Sequence, residues 1–154
     1  MPAPDLSVKE TERRALAAAY ARQRRALRGD LASALSALNA GPASPAHITA
    51  VLSRSAARQA ALIHREHQRL RPALERLQPG ATAWLAQEHR ELLAELDLLQ
   101  ADLRALRSAA PGEGLRLAVE LDQRYALFAG DSLLHLAREH RLLVRLLGVT
   151  DTTS

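Results

Sequence analysis

Glycine and proline gather at three places, Gly41-Pro42-Ala43-Ser44-Pro45, Pro79-Gly80 and Pro111-Gly112-Glu113-Gly114, and that punctuation limits what the chain can build. The stretches between them are rich in alanine, leucine and arginine and poor in β-branched residues, so they favour helix. Ser7 with Glu10 has the form of a capping box, and Ser44-Pro45 reads as an N-cap with proline at the first helical position. The spacing predicts four helices over roughly 7–39, 45–77, 81–108 and 114–147. Connections this short place successive helices antiparallel. The expected fold is all-α, an up-down-up-down four-helix bundle in one domain spanning 1–154.

Each helix carries an apolar stripe at helical spacing. The first runs through Leu16, Tyr20, Leu27, Leu31, Ala34 and Leu38, and the second from Leu52 through Ser55, Gln59, Leu62 and Ile63 to Leu70, Leu74 and Leu77. The third holds Leu85, Leu92, Leu96, Leu99, Leu103 and Leu106, and the fourth Leu121, Tyr125, Phe128, Ser132, Leu136, Leu143 and Leu146. Pro72 lies inside the second helix and must free the carbonyl of Gln68, which predicts a bend. Gly130-Asp131 interrupts the fourth stripe and predicts a kink.

Composition narrows the chemistry. The 154 residues include no cysteine, which removes disulfides, thiolate metal sites and cysteine nucleophiles together. Aromatics are 3 %, too few for a base-stacking platform. No apolar run approaches the ~20 residues of a membrane span, and Met1–Glu10 lacks the pattern of a signal peptide, so a cytoplasmic chain with no membrane partner is expected. The net charge is +4, and Lys9 is the only lysine among 21 basic residues. Arg13, Arg14, Arg22, Arg24, Arg25 and Arg28 share a stretch without acids. They form either a solvated helix face or a contact for nucleic acid or an acidic protein.

Several ionisable residues fall on the stripes instead of on the solvent faces. Glu66 lies four residues from both Leu62 and Leu70, His89 precedes Leu92 and Leu93, and His135 and Glu139 stand four apart. Counted from the turns at 1.5 Å per residue, these four and Tyr20 lie from a few ångströms to about two helical turns from one common level. A carboxylate among leucines is costly unless paired, and two facing one core repel. Two histidines and two carboxylates from three helices suit iron, manganese or zinc, one or two ions, whose charge lets both glutamates ionise. The other reading is a hydrogen-bonded His–Glu cluster without metal, tied to Tyr20 or an arginine. His67 and His140 sit one step round the helix as further candidate ligands, whereas His47 and His64 read as surface histidines.

The segment from Pro79 to Gly148 resembles one half of a hemerythrin-like, or HHE cation-binding, domain. Such halves open on a Glu-His helix, here Glu88-His89-Arg90-Glu91-Leu92-Leu93, and close on His-x-x-x-Glu, here His135-Leu136-Ala137-Arg138-Glu139. The resemblance implies that His89, His135 and Glu139 occupy metal-ligand positions. The first half is similar to a degraded copy: in Arg65-Glu66-His67-Gln68-Arg69-Leu70-Arg71-Pro72 the carboxylate is matched by Glu66, but the histidine expected four residues earlier is Leu62. The first-helix histidine has no counterpart, and Tyr20 lies near its level. A complete oxo-bridged di-iron centre is therefore not implied.

By that resemblance, the chain is expected to hold metal in a sensing, storage or stress role, with oxygen, nitric oxide or peroxide as small ligand. The alternative is a metal-free interaction module acting through the arginines of the first helix. A ferritin-like centre fits less well, because its Glu-x-x-His spacing is missing from the stripes. No nucleophile constellation or glycine-rich phosphate loop points to an enzyme.

Overall fold

The computed structural model describes the backbone of residues 6–42 and 44–148 and their side chains from Val8 onward. Among the described residues the chain is all-helical, with helices α1 (Leu6–Ala40), α2 (Pro45–Arg65), α3 (Arg71–Leu77), α4 (Ala83–Arg107) and α5 (Pro111–Leu147). A five-residue π turn, Glu66–Leu70, joins α2 directly to α3, so the two form one long second rod and the chain makes a four-rod bundle. The predicted boundaries agree with these to within three residues. Ser44 caps α2 as expected, its Oγ accepting from the His47 amide at 3.2 Å with Pro45 at the first helical position. The Ser7–Glu10 box involves a side chain outside those described.

Two of the expected irregularities resolve differently. At Pro72 the helix inserts a residue: the Arg71 amide reaches back five residues to the Glu66 carbonyl. At 100° per residue, eight residues of regular helix drift by about 80°, which would turn Leu74 away from the face of Glu66. One extra residue absorbs about that rotation, and both are 0 % exposed. The Gln23 amide, from α1, donates to the carbonyl of Leu62 just before this turn. Helix α5, by contrast, stays helical through Gly130 and Asp131, the place of the expected kink.

The stripes bury two apolar clusters. The larger gathers Leu27, Leu31, Leu52, Leu96, Leu99, Leu121 and Phe128 among others, and the smaller Leu16, Tyr20, Leu74, Leu85 and Leu143. Contacts on adjacent rods run in opposite order along the chain. Asp30 meets Ser55 while Gln23 meets Leu62, and Asp102 pairs with Arg124 while Glu88 pairs with Arg138. In the larger core, Asp30 Oδ2 accepts from Ser55 Oγ at 2.7 Å and Gln59 Nε2 at 2.8 Å, and Ser55 shares a 2.6 Å hydrogen bond with the Tyr125 hydroxyl. The Ser55 hydroxyl and the Gln59 amide nitrogen thereby find a carboxylate from α1, whereas Gln59 Oε1 stays without a partner.

Candidate metal centre

Glu66 opens the π turn, His89 lies in the second turn of α4, and His135 and Glu139 share one face of α5. One donor atom from each lies within 4.8 Å of the other three. Metal–nitrogen and metal–oxygen bonds of about 2.0–2.2 Å separate two donors on opposite sides of an ion by at most about 4.4 Å, so donors within 4.8 Å would have to draw inward to share one. Glu66, His89 and Glu139 are 0 % exposed and His135 is 4 % exposed, so water does not solvate the two carboxylates.

The carboxylates lack donors. Glu66 Oε1 meets His89 Nε2 at 3.0 Å, but Glu66 Oε2 and both oxygens of Glu139 have no hydrogen-bond donor. Carboxylates are acceptors only, so Glu66 and Glu139 bond to one another only when a proton lies between them. Burial pushes the Glu139 carboxyl well above its ordinary 4.5, and the adjacent Glu66 charge adds to the rise. Burial disfavours the Glu66 anion as well, but hydrogen bonds from Glu139 and His89 and the neighbouring histidines outweigh it and leave that carboxyl below 4.5. The pair thus needs one shared proton or one cation.

The histidines are oriented from behind. His135 Nδ1 lies 2.6 Å from Glu88 Oε2, and Glu88 Oε1 accepts from Arg138 Nη1 at 2.6 Å. With Nδ1–H donated to Glu88, His135 turns the lone pair of Nε2 inward, 3.5 Å from Glu139 Oε2. Burial holds His135 below its ordinary 6.5 against the pull of Glu88, which keeps it neutral near pH 7. Carboxylate-backed histidine is the usual outer arrangement of metal sites. His89 is backed by His67, Nδ1 to Nδ1 at 3.3 Å. The Trp84 ring stands edge-on to His135, with centroids 6.3 Å apart. A cleft of about 200 Å³ between α4 and α5, lined by Glu88, Glu91, Glu95 and Asp131, reaches His135 from solvent.

The remaining candidates separate clearly. His67 supports His89 from outside the four-residue group, and His140 lies outside that group too. Tyr20 is buried, and the charges of Glu66 and Glu139 act on it. His64 is exposed as expected. His47 is not an ordinary surface residue: it is half-buried, its Nε2 is 2.8 Å from the Ala37 carbonyl, and its ring fills the space where Gly41 has no Cβ. Of the arginines, Arg13, Arg14, Arg22, Arg25 and Arg28 are exposed, Arg14 in an ion pair with Glu10, whereas half-buried Arg24 feels the Glu139 charge.

Sequence reasoning left Glu88, Arg138 and Gln23 without a role. Glu88 is adjacent to His89 in sequence, and only the approach of α5 makes it the partner of His135. Among the described residues, no helix is long and apolar enough to cross a membrane. No protein-family model, no curated protein and no solved structure matches this chain.

Proposed function

We propose that this chain is a hemerythrin-like, up-down-up-down helical bundle that holds one iron ion between Glu66, His89, His135 and Glu139. The observation that carries the reading is the buried convergence of two carboxylates and two histidines, with three carboxylate oxygens lacking any donor. Two neutral imidazoles and two carboxylates balance a divalent cation, and this mixed nitrogen–oxygen set suits iron, with manganese and zinc as competitors. The opposite running order of paired residues on adjacent rods supports the topology. The Glu88-His89 opening and the His135-x-x-x-Glu139 closing support the family.

Bound iron would supply a redox-active centre able to bind oxygen, nitric oxide or peroxide, in keeping with a sensing, storage or stress role. The chain's own part is to exclude water, to hold His135 in one tautomer through Glu88, and to leave an acidic cleft by which cations approach. Trp84 is the only tryptophan, so it reports on the site. Anaerobic titration of metal-free protein with ferrous ion should change Trp84 fluorescence, saturate at one equivalent and reverse with chelator. A flat titration, confirmed by equilibrium dialysis, overturns the reading.

The second reading, a metal-free module contacting nucleic acid or an acidic protein, draws on the exposure of Arg13, Arg22, Arg25 and Arg28. It requires binding that weakens steeply with salt and flattens when these residues are reversed to glutamate.

A further inference from the structure

Helix α1 supplies none of the four converging donors, yet it buries an unpartnered hydroxyl in the apolar cluster that adjoins them. Tyr20 is 0 % exposed, its ring packed by Leu16, Leu74, Leu85 and Leu143, and its hydroxyl has no hydrogen-bond partner. Burial, with the charges of Glu66 and Glu139, holds the pKa of that hydroxyl well above its ordinary range, so its proton would leave only in exchange for a cation. The chain's other tyrosine, Tyr125, is equally buried but bonded to Ser55 at 2.6 Å. A phenol that only packs would be expected to find such a partner, or to be a phenylalanine. The Tyr20 hydroxyl instead is unpaired, and its ring shares a cluster with Leu85 and Leu143, each one helical turn from His89 and Glu139 respectively.

We propose that Tyr20 Oη is a fifth donor to the ion held by Glu66, His89, His135 and Glu139, and that it directs the site toward ferric iron. The inference rests on the metal reading above. On ligation the phenol O–H bond breaks, its proton is released to solvent, and the oxygen lone pair forms the bond to the metal. No electron is transferred in that step. A phenolate is a hard anionic oxygen that matches ferric iron better than zinc or ferrous iron. With two carboxylates and one phenolate it balances three positive charges in a water-free core. Tyr20 also ties α1 to a centre otherwise built from the other three rods.

The test exploits the two-tyrosine composition. Metal-free protein is loaded with ferrous ammonium sulfate under nitrogen and oxidised with ferricyanide. Iron content is then measured by mass spectrometry, with visible absorption and resonance Raman spectra. The expected result is a phenolate-to-iron charge-transfer band with phenolate vibrations in the parent and in Tyr125→Phe. Tyr20→Phe should keep bound iron and lose the band. Bound iron without a band in the parent, or a band retained in Tyr20→Phe, overturns the Tyr20 assignment and leaves the metal reading standing. No bound iron overturns both. Should Tyr20→Phe fail to fold, Tyr125→Phe decides alone: a band that persists there can come only from Tyr20, and one that vanishes there refutes the proposal.

Discussion

Glu139→Gln should stabilise the metal-free protein and lose most of the stabilisation that metal gives the parent. In the metal-free chain, Glu139 is 0 % exposed, neither of its oxygens meets a donor, and Glu66 faces it. The amide removes a group whose ionisation is penalised, and its NH2 can donate to Glu66 Oε2. Relief of an unsatisfied buried group is worth about 1–3 kcal/mol, and at roughly 2–4 °C per kcal/mol for a chain this size the melting temperature should rise by roughly 2–12 °C in chelator. The gain has a defined pH dependence. A carboxyl raised above 4.5 in the fold costs nothing below that value and costs more as pH rises toward its folded value, so the gain should shrink toward pH 4 and be largest at neutral pH. Metal offsets or reverses that gain, because it stabilises the parent by about 2.3 kcal/mol more than the variant. An ion at a hundred times its Kd stabilises the parent by about 2.7 kcal/mol, whereas a variant binding about a hundredfold more weakly gains only about 0.4 kcal/mol. Differential scanning fluorimetry at fixed ion concentration, with and without chelator, measures both. A lower melting temperature in chelator, or an undiminished metal-induced rise, would refute the reasoning.

Three further outcomes follow from other contacts. Glu88→Gln takes away the carboxylate behind His135 and should weaken metal binding by about 10–100-fold, read from Trp84 fluorescence titrations. His67→Ala removes the partner of His89 Nδ1 and should weaken binding by about tenfold, whereas His140→Ala, outside the converging group, should leave it unchanged. Gly41→Ala would place a Cβ 2.2 Å from His47 Nε2, displacing the ring from the Ala37 carbonyl and costing about 1–3 kcal/mol in urea denaturation, with metal stoichiometry unaltered.

The four rods were legible because leucine stripes, proline and glycine act locally, and a stripe can be read from one helix alone. Glu66, His89, His135 and Glu139 stood out for the same reason, as charged residues on faces that had to be buried. Partners contributed by another helix could not be read this way. Glu88 gains its role from His135, 47 positions away, and Ser55 meets Tyr125 across 70. The π turn was visible only as a proline that had to free one carbonyl. Whether the helix bends or inserts a residue is settled by packing, here by the need to bury Glu66 and Leu74 together.

Metal content tests the central claim most directly. Protein prepared without an affinity tag, reconstituted with ferrous ion under nitrogen and desalted, is analysed by mass spectrometry beside His89→Ala, His135→Ala and His47→Ala. One iron per chain is expected in the parent and in His47→Ala, and little in His89→Ala or His135→Ala. Equal iron in all four proteins, or none in the parent, would contradict it.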